Sequence, residues 1–434
     1  MSVWLHVIGI GEEGLHGLGR AARAALDSAD VLVGGERHLA MLPVDDRERL
    51  SWPSPLQDLI GQIQARRDRR VCVLATGDPC NFGVAVTLSR HIPAAQMCVI
   101  PSVSAFSLAC ARMGWDRNSI DTLTLHGRPL ALLRAYLQPA ARLLVLSEDR
   151  ATPTAVARLL VAEGYADSCV TVLEHMGGER EARRSATAGQ LAKEVDSGDF
   201  TDLNTLAVEC VSGPDATRLS RLPGLPDDAF AHDGQLTKRV VRAATLAALA
   251  PLPGELLWDV GAGCGSVAIE WMRTHPRNSA VAIERRADRV ALCDQNAQAL
   301  GVPGLRIEQS EAPAGLRGLP APHAVFIGGG IATDGLFEQC WSALRPCGRL
   351  VANAVTLEGE QALFDLYQRY GASHKDADKP SASDSMGGDL SRIAVSRATR
   401  LGAFHGLRAA MPVSQLTLTK PPESESAAGL GDSR

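Results

Sequence analysis

The sequence predicts an α/β protein in two halves, and three observations carry that reading. Apolar strands end in Gly, Asp or Ser loops and reopen as helices, as where Val71-Cys72-Val73-Leu74-Ala75 runs into Thr76-Gly77-Asp78-Pro79. That alternation is how parallel sheets are wound. A Pro/Gly-rich connector, Ser212-Gly213-Pro214 and then Leu222-Pro223-Gly224-Leu225-Pro226, interrupts it near the middle. Beyond the connector an apolar run ends on Asp259, and Gly261, Gly263 and Gly265 lead into a helical stretch from Ser266. Strand, tight turn and helix follow from that pattern.

In the first half, Trp4 to Ile8 reads as a strand ending at Gly9-Ile10-Gly11-Glu12-Glu13-Gly14. The spacing is a literal G-x-G-x-x-G, but Glu12 and Glu13 stand where a pyrophosphate would be received, and like charge disfavours it. The glycines still point to close backbone approach. Ala21 to Ser28 is helical, and Asp30 to Val33 is a short strand. Val71 to Ala75 is a buried strand before a helix from Phe82 to Ser89. Cys98 to Ile100 is a strand before Pro101-Ser102-Val103-Ser104-Ala105 and the helix Phe106 to Arg112. Ala141 to Leu146 is a strand, and Thr152 is expected to cap a helix with Pro153 at its first position, running to Glu163. Cys169 to Glu174 and Leu203 to Cys210 complete the strands. His175 and Glu179, at the end of one of them, read as structural.

In the second half, Leu236 to Arg242 opens an amphipathic helix to Leu249, and Pro251-Leu252-Pro253-Gly254 breaks it before the glycine turn. A dinucleotide fingerprint would need a glycine where Ser266 stands. Asp259 would repel a phosphate but not an amino or sulfonium group. The next strand, Ala280 to Ile283, ends on Glu284, where a ribose-binding acid belongs. A helix from Ala287 to Leu300 follows. Leu305 to Gln309 is a strand before Ser310-Glu311-Ala312-Pro313. Ala324 to Ile327 ends in Gly328-Gly329-Gly330, which either leaves space for a large flat substrate or is a flexible turn. Gly348 to Ala352 ends in Asn353-Ala354-Val355-Thr356, so Asn353 and Thr356 are expected to face the same cleft. The polar stretch from Gly371 to Gly388 reads as a mobile loop. Arg392 to Ser396 and Pro412 to Thr419 can pair as antiparallel strands, and Pro421 to Arg434 reads as disordered.

Composition narrows the function classes. With 434 residues, 45% of them hydrophobic, the chain can bury sizeable cores. A net charge of −5 implies no general attraction to nucleic acid or to a membrane surface. The ten cysteines show no CxxC and no metal-ligand spacing, and Cys72, Cys98, Cys169 and Cys210 read as reduced core residues. Met1-Ser2-Val3-Trp4 does not read as a signal peptide, and no apolar run is long enough to span a membrane. A cytoplasmic protein is the expectation.

Three loops in order, Gly9-Ile10-Gly11, Thr76-Gly77-Asp78-Pro79 and Pro101-Ser102-Val103-Ser104-Ala105-Phe106, resemble the cofactor loops of the tetrapyrrole (corrin/porphyrin) methylase family. Leu125-His126-Gly127-Arg128 fits its inter-lobe segment. The resemblance implies two α/β lobes, split near 125–130, with S-adenosylmethionine between them. Gly9, Gly11, Gly77, Asp78, Pro79, Ser102, Val103 and Ser104 are the implied contacts. The second half resembles the decarboxylating, class I (Rossmann-like) S-adenosylmethionine methyltransferase domain of cobalamin synthesis, which has a seven-stranded sheet. It does so in Thr237-Lys238, Asp259 to Gly265, Glu284, Glu311-Ala312, Gly328 to Gly330 and Asn353 to Thr356. The implied cofactor residues are Thr237, Asp259, Gly261, Ala262, Gly263, Cys264, Gly265, Glu284, Glu311 and Ala312. Lys238, Asn353 and Thr356 are the candidates for steering the substrate, and no metal is implied.

The expected layout is therefore a methylase domain over 1–211, a linker over 212–235, a methyltransferase domain over 236–420 and a tail over 421–434. Together the resemblances imply methylation of precorrin-6B at C5 by the first half. The second half would methylate C15 and decarboxylate the C12 acetate, giving precorrin-8X. One donor per domain and a homo-oligomer are implied as well. The substrate's carboxylates make Arg128, Arg239 and Arg242 candidate partners. Still open are another tetrapyrrole or small molecule, a cobalt-containing precorrin, an NAD-dependent oxidoreductase, for which Asp259 and Ser266 are wrong, and an inactive cofactor-binding module.

Overall fold

The computed structural model describes residues 3–52, 57–194, 199–371 and 387–422. The chain forms two compact units, Met1–Leu130 with Tyr136–Arg218, and Ala131–Ala135 with Leu219–Arg434. Most of the expected mobile loop, residues 372–386, and of the tail, from 423 onward, lies outside the described residues.

The first unit holds two five-stranded sheets. One contains β1 (Leu5–Ile10), β2 (Val31–Gly34), β3 (Glu48–Ser51), β4 (Val71–Thr76) and β5 (Met97–Ile100) in the order β3-β2-β4-β1-β5. Every pairing in it is parallel. Successive side chains face opposite sides of a strand. Val7 and Val73 therefore pack into one core layer with Leu59 and Ile63, while Ile8 and Leu74 pack into another with Leu26. Burial on both faces explains why these strands read as continuous apolar runs.

The other sheet contains β6 (Asp121–Thr124), β7 (Arg142–Leu146), β8 (Cys169–Glu174), β9 (Ala182–Thr187) and β10 (Asn204–Glu209), in the order β6-β7-β10-β8-β9. Only β6 and β7 are parallel; β10 runs antiparallel between β7 and β8, and β9 antiparallel to β8. The edge strands β3 and β9 were not expected from the sequence. Their charged residues keep them partly or fully exposed, so they carry no hydrophobic period. The cap at Thr152 is also corrected. Thr152 is the first helical residue, and Asp149 Oδ1 accepts the amides of Ala151 and Thr152 at 2.9 and 3.1 Å.

The second unit is built on seven strands: β11 (Leu256–Val260), β12 (Ser279–Glu284), β13 (Arg306–Gln309), β14 (Ala324–Ile327), β15 (Arg349–Ala354), β16 (Gly388–Ile393) and a last strand, Val413–Thr419. The order is β13-β12-β11-β14-β15, then Val413–Thr419, then β16. The first five are parallel, and the last strand is antiparallel to both of its neighbours. Between β16 and the last strand, β17 (Ser396–Leu401) and β18 (Phe404–Ala409) form a hairpin paired only with itself. The sequence expectation placed one strand at Arg392 to Ser396; the chain instead ends β16 at Ile393 and starts the hairpin at Ser396. Among the described residues, no helix is long and apolar enough to cross a membrane.

Candidate functional site

In the second unit the carboxyl ends of β11, β12, β14 and β15 border a cavity of about 970 Å³. Its floor is the glycine turn. Gly261, Gly263 and Gly265 have φ of +75°, +58° and +80°, which only glycine adopts without strain. The amides of Gly261 and Ala262 donate back to the Ile283 carbonyl at 2.9 and 3.1 Å. Glu284 Oε2 accepts the Gly263 amide at 2.9 Å, and its Oε1 accepts that of Arg286 at 2.9 Å. Glu284 thus clamps the turn onto β12. A Cβ on Gly263 would meet nothing within 4 Å, so the turn lies open to the cavity.

Asp259 shares a strand face with Leu257 and is directed at the helix Ser266–Thr274. Its Oδ2 accepts the Ala268 amide at 2.9 Å, while Oδ1 is buried with no partner. Burial pushes this carboxyl up to about 7, with the Ala268 amide opposing the shift and Glu284 adding to it. A buried, half-satisfied acid on a cavity wall suits a cationic ligand group, which would supply the missing partner.

Thr237, Lys238, Gly261, Ala262, Gly263, Cys264, Glu311, Ala312, Asn353 and Thr356 also line the cavity; Gly265 lies behind it. A Cβ on Gly265 would overlap Cys293 Sγ. Cys264 is buried, and burial raises its thiol, which suits packing rather than nucleophilic attack. Glu311 is exposed and pairs with Arg285 at 3.3 Å. Lys238 stands exposed at the N-cap of the helix Arg239–Leu249.

Asn353 and Thr356 line the cavity with side chains that already have partners, and one expectation, Arg242, is corrected. The Asn353 amide is committed to a buried network, donating to Thr245 Oγ1 at 3.0 Å and accepting from Gln415 Nε2 at 2.9 Å. Thr356 Oγ1 caps the helix Leu357–Leu366, accepting the Gly359 amide at 3.2 Å. Arg242 is fully buried against Glu270, so it faces no substrate. Sequence reasoning missed Ser310, whose buried Oγ has no partner at the cavity edge. It also missed Arg397 and Met411, which reach the cavity from the region of the unread hairpin.

In the first unit the three expected loops converge. The Gly77 amide donates to the Ile10 carbonyl at 3.1 Å, and the Ser102 amide donates to the Gly77 carbonyl at 3.0 Å. A Cβ on Gly9 would overlap both the Gly77 oxygen and the Ser102 nitrogen. Gly77, at φ +58°, would bring a Cβ to 2.9 Å from the Val103 carbonyl. Ser104 caps the helix Ala105–Met113 by accepting the Ser107 amide at 3.1 Å. Asp78 Oδ1 accepts the Cys80 amide at 2.9 Å, and the Pro79 carbonyl accepts the Ala85 amide at 3.0 Å. Gly11 is not crowded, and Val103 is exposed. Phe82, with φ +55°, lies against Phe106, and the Arg128 guanidinium lies 5.4 Å over the Phe82 ring. Glu12 reaches across to the second lobe, where its Oε2 meets His175 Nδ1 at 2.6 Å.

Residues 4–192 match the family of Tetrapyrrole (Corrin/Porphyrin) Methylases, and residues 228–378 match the Precorrin methyltransferase domain. The chain is 45% identical over 421 residues to a precorrin-6Y C(5,15)-methyltransferase (decarboxylating) of Sinorhizobium sp, covering 97% of each. It is 35% identical over 177 residues to a cobalt-precorrin-7 C(5)-methyltransferase of Salmonella typhimurium, covering 41% of this chain and 87% of that one. Among solved structures, the C-terminal domain of the precorrin-6Y C5,15-methyltransferase of Rhodobacter capsulatus is 44% identical. It covers 46% of this chain and 100% of that one, with a TM-score of 0.41.

Proposed function

Since the chain belongs to the precorrin-6Y C5,15-methyltransferase (decarboxylating) family, it is an S-adenosylmethionine-dependent methyltransferase of cobalamin biosynthesis, and we propose how its two units divide that work. The second unit methylates C15 of precorrin-6B and removes the C12 acetate carboxyl as CO2. The first unit methylates C5, and the product is precorrin-8X. Each unit binds its own donor. The Salmonella relative's name joins C5 methylation to a 7-numbered intermediate, which supports C15 chemistry first and C5 second. A cobalt-containing substrate is the alternative.

The observation that carries the reading is the half-satisfied Asp259 beside the open Gly263 turn. Bound S-adenosylmethionine supplies an electrophilic sulfonium methyl. The turn and Glu284 hold the donor's ribose side, and Asp259 offers a negative partner to its cationic end. Ala312 and Ser310 border the adenine side. Lys238, exposed at the cavity mouth, takes a substrate carboxylate. Asn353 and Thr356 shape the wall through the bonds they already make. The triple glycine at 328–330 leaves room for a flat macrocycle. Alignment in a dry cleft then does much of the catalysis, because the meso carbon of an enamine-like pyrrole is already nucleophilic. In the first unit the backbone cradle of Gly9, Gly11, Gly77, Asp78, Pro79, Ser102, Val103 and Ser104 holds the second donor. A cytoplasmic homo-oligomer completes the proposal, and the exposed Leu401, Phe404 and Leu407 of the hairpin support its association.

Calorimetric titration of the full chain with S-adenosylmethionine is expected to show two sites. Mass spectrometry after incubation with precorrin-6B is expected to show two methyl gains and one CO2 loss. A single site at saturation, or preference for NAD, rejects the reading.

A further inference from the structure

His175 directly follows β8 in the first unit, and its backbone is unusual. Its φ is +45°, which a bulky residue adopts only under constraint, and such strain gathers at functional sites. The ring is buried, and its Nδ1 lies 2.6 Å from Glu12 Oε2. A carboxylate only accepts, so Nδ1 carries the proton of that bond, and in the neutral ring Nε2 presents its lone pair. Nε2 has no hydrogen-bond partner among the described residues. Arg37 pairs with Glu12 Oε1 and keeps the carboxylate aimed by its other oxygen. Arg37 Nη2 also donates to Thr76 Oγ1 at 2.9 Å, beside the Gly77-Asp78-Pro79 loop. Glu12 itself directly follows Gly9-Ile10-Gly11. The Glu12–His175 dyad is thus fixed to two of the three cofactor loops.

The other charged groups around the ring are accounted for. Arg180 Nη2 lies 3.5 Å from Nδ1 and 3.9 Å from Glu12 Oε2. Glu181 accepts the Gly177 amide at 2.7 Å and pairs with Arg112. Glu13 lies near Gly177. None of these bonds uses Nε2.

We propose that His175, oriented by Glu12, is the general base that takes the C5 proton after methyl transfer in the first unit. The inference rests on assigning C5 methylation to that unit. The C5 π pair forms the new C–CH3 bond while the C–S bond breaks and sulfur keeps its pair. C5 then carries both hydrogen and methyl next to a cationic, iminium-type nitrogen. His175 Nε2 takes the proton, and the C–H pair restores the conjugated double bond and neutralises the cation. The balance is substrate plus sulfonium giving methylated product, thioether and one proton.

The test uses the full chain with precorrin-6B and the methyl donor, and reads products by mass and position. His175→Gly tolerates the positive φ and removes the base. Its C5 turnover should fall about 100-fold or more, with the species bearing one methyl gain and one CO2 loss accumulating. Free imidazole should then restore the second methyl, a rescue that a purely structural histidine would not allow. Glu12→Gln should lower C5 turnover while leaving C15 methylation at wild-type rate. C5 turnover of His175→Gly within threefold of wild type overturns the proposal. So does a loss that imidazole leaves untouched while Glu12→Gln is fully active. Failure of the underlying division of labour looks different: wild type adds no methyl, or Gly263→Val, which fills the second unit's cradle, still decarboxylates.

Discussion

Arg242 Nε donates to Glu270 Oε1 at 2.6 Å, and neither side chain reaches solvent. Glu270 also accepts the amides of Gly224 and Leu225 at 2.6 and 2.9 Å. Arg242 adds bonds to the Thr237 and Leu225 carbonyls and lies 4.8 Å over the Phe230 ring. One buried pair therefore ties the Pro/Gly-rich connector to the two helices that precede and follow β11. Removing Glu270 leaves the buried Arg242 guanidinium with only the partly exposed Asp227, 3.2 Å away, as a counter-charge. Glu270→Ala is expected to destabilise the second unit by about 3–5 kcal/mol, measured by urea unfolding of the full chain. A loss below about 1 kcal/mol would mean that water reaches the site.

Asp259 should make donor binding in the second unit depend on pH. Its carboxyl is held up at about 7, from an ordinary value near 3.8. A cationic ligand favours the ionised form, so binding below pH 7 must expel a proton. Affinity at this site is expected to rise from pH 6 to pH 8, by at most about tenfold per unit where the free acid is protonated. Calorimetry in buffers of different ionisation enthalpy should detect the released proton. Asp259→Asn should weaken binding and flatten the dependence; an unchanged pH profile in that variant removes Asp259 from the donor site. The sign for stability is opposite. A raised carboxyl stabilises the fold fully below the unfolded value, and that contribution declines as pH rises through about 7.

His38 gives the first unit an acid limit. Burial, with Arg37 beside it, lowers this imidazole to about 4 from 6.5. Its Nε2 meets Thr76 Oγ1 at 2.9 Å, while Nδ1 is buried without a partner. The native state therefore refuses a proton that the unfolded chain accepts. Stability is fully present above pH 6.5 and falls as pH drops toward 4, by up to about 1.4 kcal/mol per unit. His38→Gln should reduce that acid slope in urea midpoints taken between pH 4 and 7. An unaltered slope would show that other groups set it.

The parts of the fold legible in the sequence are those where burial writes a pattern. Val71 to Ala75, Leu256 to Val260 apart from Asp259, and Ala324 to Ile327 are apolar because both faces are covered, and the glycines after them mark the cradles. Glu48–Ser51, Ala182–Thr187 and the hairpin were not legible, because edge and solvent-facing strands have no apolar face to repeat. Asn353 shows a different limit. Its strand end placed it correctly at the cavity wall, but its amide is satisfied by Thr245 and Gln415, from a helix and a strand far along the chain. Arg242 misled for the same reason: a charged residue near a cleft reads as a ligand contact until its buried partner is known.

The three glycines of the turn should fail in different ways when given a side chain. All three have positive φ, so an alanine at any of them is strained by about 1–2 kcal/mol. At Gly263 that strain is the whole effect on stability, since the added methyl meets nothing within 4 Å. The methyl enters the cavity instead, so Gly263→Ala should lose donor affinity more than stability. At Gly265 the new Cβ overlaps Cys293 Sγ and would sit 3.3 Å from Ile269 Cδ1. Cys293 is fully buried on the next helix, so its thiol has little room to move. Gly265→Ala should therefore lose more stability than Gly263→Ala, and Cys293→Ala should give part of it back. A coupling of roughly 0.5–3 kcal/mol between the two substitutions is expected in a double-mutant cycle of urea midpoints. Strict additivity would show that the turn relaxes away from the helix, and then Gly265 is required for its backbone angle alone.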